Sequence, residues 1–153
     1  MEIQILYGSQ KGTAEEISMN LKDLIKTKTS RPLHRAELNF ITNNIFELNK
    51  KTDLIYIICS TTGNGEMPEN AFKFWKTIKP RTLPKNLFHG IKYSVLALGD
   101  TNYSHFCNAG KQIDKRMFEL GAERLNPVCC TDDAQDMEET VNKWLEEICL
   151  SNI

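Results

Sequence analysis

Two kinds of segment alternate along this chain. Residues 3–7, 53–59, 92–98 and 125–130 are short apolar runs, each bounded by polar, glycine or proline positions. Leu54-Ile55-Tyr56-Ile57-Ile58-Cys59 and Tyr93-Ser94-Val95-Leu96-Ala97-Leu98 are nearly continuous rather than alternating. That pattern marks strands covered on both faces, as in a parallel sheet. A weaker run at 33–40 holds more polar residues and reads as an edge strand.

Helical spacing fills the intervals. Residues 13–28 put Ile17, Leu21, Leu24 and Ile25 on one face, with Glu15 and Glu16 in the first turn, where they complement the helix dipole. Residues 69–78 space Phe72, Trp75 and Ile78 by three. Residues 105–120 carry Ala109, Ile113, Met117 and Leu120, and Gly121 follows where a terminating glycine belongs. Residues 136–150 carry Met137, Val141, Trp144, Leu145 and Ile148, so Trp75 and Trp144 are expected in the core. The alternation predicts a doubly wound α/β domain of five parallel strands, helices on both faces, joined by right-handed connections.

Such sheets bind ligands at the carboxyl ends of their strands. Here those ends are residues 8–13, 60–66, 99–108 and 131–133, all small, polar and turn-forming. In the first, an apolar strand stops at Gly8, and Ser9, Gln10, Lys11 and Gly12 lead into a helix at Thr13 and Ala14. Free backbone N–H groups at the positive end of a helix dipole suit a phosphate. A nucleoside-triphosphate loop needs Gly-Lys-Ser/Thr, whereas Lys11 precedes Gly12. A dinucleotide fingerprint needs G-x-G-x-x-G, which Gly8 and Gly12 do not space. A loop of hydroxyls and backbone amides around a single glycine, of the flavodoxin type, matches best.

Composition narrows the setting. The 153 residues suit one domain spanning 1–153, and a net charge of −1 points neither to nucleic acid nor to an acidic membrane. No run approaches 18 apolar residues, and the chain enters a strand at once, leaving no room for a leader. Five cysteines, an odd number without a C-x-x-C, read as free thiols in a reducing, cytoplasmic compartment. The vicinal Cys129-Cys130 has no partner at metal-ligand spacing, so no metal site is expected. Charge is uneven: residues 121–153 hold 2 Lys+Arg against 8 Asp+Glu. That acidic end reads as a solvated helix face or as a docking surface for a basic partner.

Gly8-Ser9-Gln10-Lys11-Gly12-Thr13-Ala14-Glu15-Glu16 resembles the FMN-phosphate loop of the flavodoxin-like domain of diflavin reductases. That family includes cytochrome P450 reductase, nitric oxide synthase reductase, methionine synthase reductase and the sulfite reductase flavoprotein. Thr61-Thr62-Gly63-Asn64-Gly65-Glu66-x-Pro68-x-Asn70 and Leu98-Gly99-Asp100-x-x-Tyr103-x-x-Phe106 resemble its two isoalloxazine loops. The stretch from Phe106-Cys107-Asn108 to Leu120-Gly121 resembles the helix that follows. Ser60-Thr61-Thr62-Gly63 and Phe106-Cys107-Asn108 lean towards the methionine synthase reductase branch, with the iron–sulfur-assembly diflavin reductases the nearest rival.

The resemblance implies a flavodoxin-like sheet of order 2-1-3-4-5 and FMN as cofactor, with FAD and NADPH only on a separate module. It implies that Ser9, Thr13 and the amides of Gln10 to Ala14 hold the phosphate, and that Tyr103 stacks on the flavin. The Gly63–Asn64 peptide would lie near N5, and Asp133, with Asp132 as the lesser alternative, near the ring's reactive edge. Ser60, Thr61, Thr62, Gly65, Leu98, Gly99, Asp100, Phe106, Cys107 and Asn108 would complete the surroundings. Two positions depart from the family pattern: Thr62 where many relatives have an aromatic, and Lys11 in place of the usual threonine.

Alone, several of these residues have plainer readings. A Ser/Gly/Thr turn often does no more than cap a helix; Phe106 suits packing under its loop; His34, His89 and His105 suit the surface. The expected function is one-electron transfer from an NADPH-reduced FAD module to an acceptor protein, a cobalamin-bearing methionine synthase favoured over P450 or iron–sulfur partners. No catalytic acid, base or nucleophile is required, and the domain is expected to be monomeric. Two other classes stay open: a two-electron flavoprotein of the quinone reductase type, and an interaction module that has lost FMN.

Overall fold

The computed structural model describes residues 1–62, 64–99, 106–132 and 136–153. Five parallel strand positions run β2-β1-β3-β4-β5, with β1 at Glu2–Gly8, β2 at Leu33–Glu37, β3 at Thr52–Ser60 and β4 at Lys92–Gly99. The last position is shared by two segments, β5 (Glu123–Arg124) and β6 (Cys129–Asp132), both paired with β4. The helices are α1 (Thr13–Lys26), α2 (Leu48–Lys51), α3 (Glu69–Ile78), α4 (Asn108–Glu119) and α5 (Met137–Lys143).

Successive strand residues point to opposite faces, and each face has its own core. Leu6, Ile55, Ile57, Cys59, Tyr93 and Val95 pack beneath α3, α4 and the segment after β2. Ile3, Ile5, Tyr7, Tyr56, Ile58, Leu96 and Leu98 pack beneath α1 and the C-terminal helix. The expected strand order and two-sided covering are thus present.

Four expectations need correction. The run expected at 125–130 is interrupted: Asn126 turns its side chain inward to accept the Ser94 hydroxyl at 2.7 Å, and Pro127 has no N–H for the ladder. The edge strand ends at Glu37, and Leu38–Glu47 continues as 3₁₀ turns that bury Leu38, Ile41 and Ile45. On α3 the inward face is Ala71, Phe74 and Ile78, with Trp75 partly buried and Phe72 exposed; Leu24 is likewise exposed on α1. The last helix is α-helical only to Lys143 and becomes a π turn over Trp144–Cys149. Trp144 is buried as expected, donating its indole N–H to Ser94 Oγ at 2.8 Å and meeting Tyr56 edge-on at 6.0 Å.

Two helix ends fix the geometry near the strand tips. Gly121, at φ 96°, closes α4, and the amides of Gly121 and Ala122 bond back to Phe118 O and Met117 O. Buried Arg116 on α4 donates to Ile78 O (2.5 Å) and Pro80 O (2.6 Å), satisfying carbonyls at the end of α3. Among the described residues no helix is long and apolar enough to cross a membrane.

Candidate functional site

Parallel register brings the carboxyl ends of β1, β3 and β4 to one edge, Gly8 beside Cys59 and Ser60 beside Leu98. At the first, a Cβ on Gly8 would lie 2.8 Å from Ala71 Cβ and 3.1 Å from Cys59 Sγ, so only glycine lets α3 close over the strand end. The Ser9 N–H donates to Asn70 Oδ1 at 2.9 Å, and Ser9 Oγ accepts the Gly12 N–H at 2.8 Å. Gly12, at φ 94°, then turns the chain into α1 without any side-chain cap. The first amide bonded within the helix is that of Glu16, to Gly12 O at 3.0 Å. Among the described residues no acceptor meets the N–H groups of Thr13, Ala14 and Glu15, which leaves them for an external one. Ser9, Gly12 and Thr13 are half-buried and Gln10 and Lys11 exposed around them.

The loop after β3 is held from two directions. The Gly65 N–H donates to Thr62 O (2.9 Å) and the Thr62 N–H to Glu66 O (3.1 Å), while Thr62 Oγ1 accepts the Glu66 N–H (3.0 Å). Thr61 Oγ1 accepts the Ala109 N–H at 3.1 Å, and Asn108 Nδ2 donates to Gly65 O at 2.8 Å. The start of α4 thus holds this loop at Thr61 and at Gly65, with Asn64 exposed between them. Ser60 is half-buried at its base.

After β4, buried Leu98 leads to Gly99, where a Cβ would fall 2.7 Å from Cys107 N and 3.0 Å from Phe106 Cδ2. Phe106 packs beneath this bend, with Lys111 Nζ 5.4 Å from its ring centre. Cys107 has left-handed backbone (φ 57°) and is fully buried, its thiol directed at Ala97 O (3.3 Å) and Thr131 O (3.5 Å). The Cys107 side chain thus points into the core, and only its backbone is left to face a ligand. Gly63, Asp100, Tyr103 and Asp133 lie outside the described residues, as does His105. Asn70 was quoted only as a motif position; its anchoring of Ser9 emerges from the packing of α3 against β1. Two surface concavities lie elsewhere, one along the acidic face of α5 and one at the β2 edge.

The flavodoxin family model matches residues 5–144. The chain belongs to the flavodoxin family. It is 37% identical over 142 residues to methionine synthase reductase of Bos taurus, covering 92% of this chain and 20% of that one. It is 38% identical over 132 residues to NADPH-dependent diflavin oxidoreductase 1 of Candida albicans, covering 86% of this chain and 22% of that one. The chain therefore spans about a fifth of the length of these curated relatives. Among solved structures, a cysteine-to-alanine mutant of flavodoxin from Pseudomonas aeruginosa matches with a TM-score of 0.75 and 29% identity, covering 96% of this chain and 95% of that one.

FMN is the cofactor of this family. The residues present fit it. A phosphomonoester carries roughly −1.5 to −2 charges at neutral pH. Unpaired first-turn amides, the positive end of a 14-residue helix and a side-chain-free Gly12 meet that charge without a buried counter-ion.

Proposed function

We propose that residues 1–153 form one FMN-binding unit that relays electrons singly from an NADPH-reduced FAD module to an acceptor protein. The observation that carries this reading is the convergence of the open α1 start with two loops cross-tied by Asn70, Thr61 and Asn108. When bound, FMN supplies reversible uptake and release of single electrons.

The chain's own part is to bind, orient and shield. Ser9 Oγ, occupied as an acceptor by the Gly12 amide, keeps its O–H free to donate to a phosphate oxygen. Thr13 and the amides of Gln10, Lys11, Thr13 and Ala14 supply further donors. Thr61, Thr62 and Asn108 use their polar groups to tie Ala109, Glu66 and Gly65, and Ser60, Gly63, Asn64 and Gly65 would face the ring. Leu98, Gly99 and Phe106 form the floor of the next loop, in which Asp100 and Tyr103 complete the site, Tyr103 by stacking. Asp133 sets a negative charge at the ring edge.

The similarity to methionine synthase reductase supports a cobalamin-bearing methionine synthase as acceptor, and the exposed acidic residues Asp136, Glu138, Glu139 and Glu146 suit a basic docking face on it. The unit acts as a monomer in the cytoplasm. Rapid mixing of the reduced, FMN-loaded chain with a methionine synthase, a P450 and an iron–sulfur acceptor tests this. Fastest transfer to methionine synthase, slowing with salt, is expected. Preference for another acceptor would remove the assignment, and direct two-electron reduction by NADPH would overturn the relay.

A further inference from the structure

Cysteines gather at one place beneath the strand ends. Cys130 pairs in register with Ala97 across β4 and β6, so its side chain shares the face on which α4 packs. Ala97 is also the residue against which Gly110 of α4 sits, and whose carbonyl lies 3.3 Å from the Cys107 thiol. The same thiol reaches the carbonyl of Thr131, the residue after Cys130. Cys107 and Cys130 thus meet over one rung of the sheet. Cys107 is fully buried, whereas Cys130 is half-buried and open to small molecules.

We propose that Cys130 and Cys107 are a peroxide-responsive dithiol, Cys130 attacking and Cys107 resolving, that closes to a disulfide between β6 and the start of α4. The groups facing Cys130 suit attack. The Cys107 thiol beside it brings the Cys130 thiol down to about 7, Lys111 adds to this, and burial and Asp114 oppose it. Cys107 is pushed the other way, chiefly by Cys130 beside it and by burial, and remains the protonated partner. The other cysteines lack this setting: burial raises Cys59 to about 12, and raises Cys129 and Cys149, which pack against the opposite core.

The chemistry balances with a hydroperoxide as oxidant. The Cys130 thiolate attacks one peroxide oxygen, the O–O bond breaks, and Cys130 becomes a sulfenic acid as hydroxide leaves. Cys107 sulfur then attacks the sulfenyl sulfur; the S–S bond forms, the S–O bond breaks, and the departing oxygen takes the Cys107 proton as water. Two thiols are oxidised by two electrons and one peroxide is reduced. The crosslink would fasten Cys107, just before α4, to the neighbouring strand β6. This inference does not depend on the flavin reading.

The test uses the chain itself treated with a small molar excess of hydrogen peroxide, alkylated, digested with trypsin and analysed by mass spectrometry. Cleavage separates Cys107, Cys129-Cys130 and Cys149 into three peptides. The expected product links the Cys107 peptide to the Cys129-Cys130 peptide. It persists in Cys129→Ser, disappears in Cys130→Ser, and gives way to a trapped sulfenic acid in Cys107→Ala. Iodoacetamide should label Cys130 first, with a rate rising through about pH 7. A link through Cys129 or Cys149, over-oxidation of Cys130 without any link, or no faster labelling of Cys130 than of Cys129 in the untreated wild type would each overturn the proposal.

Discussion

Gly110→Ala probes the closest backbone contact under the site. A Cβ at 110 would lie 2.3 Å from Ala97 Cβ and 2.8 Å from Ala97 Cα. Ordinary carbon contacts sit at about 3.5–4.0 Å, so α4 or β4 must give way by roughly 1 Å. Neither can do so cheaply, because β4 is held between β3 and the β5/β6 pair. Overpacking costs about 1–3 kcal/mol, and a contact this short belongs to the upper part of that range, about 2–3 kcal/mol. Alanine's better helix propensity returns up to about 1 kcal/mol, leaving a net loss of about 1–2 kcal/mol. At roughly 2–4 °C per kcal/mol for a chain of this size, Tm by calorimetry should fall by about 2–8 °C. Ala97→Gly removes the opposing methyl. It should cost clearly less in the Gly110→Ala background than alone, a coupling of at least about 0.5 kcal/mol. The start of α4 also carries the Thr61 and Asn108 bonds, so FMN affinity should fall in Gly110→Ala and recover with the pair. A Gly110→Ala variant as stable as wild type, or strictly additive behaviour, would refute the packing argument.

Asn108→Ala removes the donor that holds Gly65 O; stability by denaturant titration should drop by about 0.5–1.5 kcal/mol and FMN should bind more weakly, whereas unchanged binding would mean that the clamp does not shape the site. Gly12→Ala adds a methyl into open space, so its cost is backbone strain alone at φ 94°, about 1–2 kcal/mol; equal stability would show that the turn relaxes freely. Tyr103→Ala should weaken FMN on the order of tenfold, the scale of one lost aromatic contact, and an unaltered dissociation constant would remove the stacking role.

The strand order and ligand edge were legible because each inner strand is a continuous apolar run ending in a small polar loop. Other features competed with equally good local patterns. Along α3, Phe72-Trp75-Ile78 and Ala71-Phe74-Ile78 both fit helical spacing, and the choice is made by Ala71 closing on Gly8, a contact far apart in sequence. The segment after β2 has apolar residues at helical intervals, Leu38, Ile41, Ile45 and Leu48, but exposed Phe40 and Phe46 blur the pattern and Asn44 leaves helical geometry. The fifth strand reads as unbroken unless Asn126-Pro127 is weighed against the Ser94 hydroxyl awaiting an acceptor. The motif alone aimed Cys107 at the ligand; its left-handed backbone turns the thiol into the core.

The central claim is that the α1 start holds the phosphate of FMN. It is tested most directly by titrating the purified chain with FMN and with riboflavin, which lacks only the phosphate, and following flavin fluorescence. One FMN per chain is expected, with riboflavin bound at least about a hundredfold more weakly, as several charge-assisted hydrogen bonds require. Equal affinity for the two, or no binding of FMN, would contradict the account.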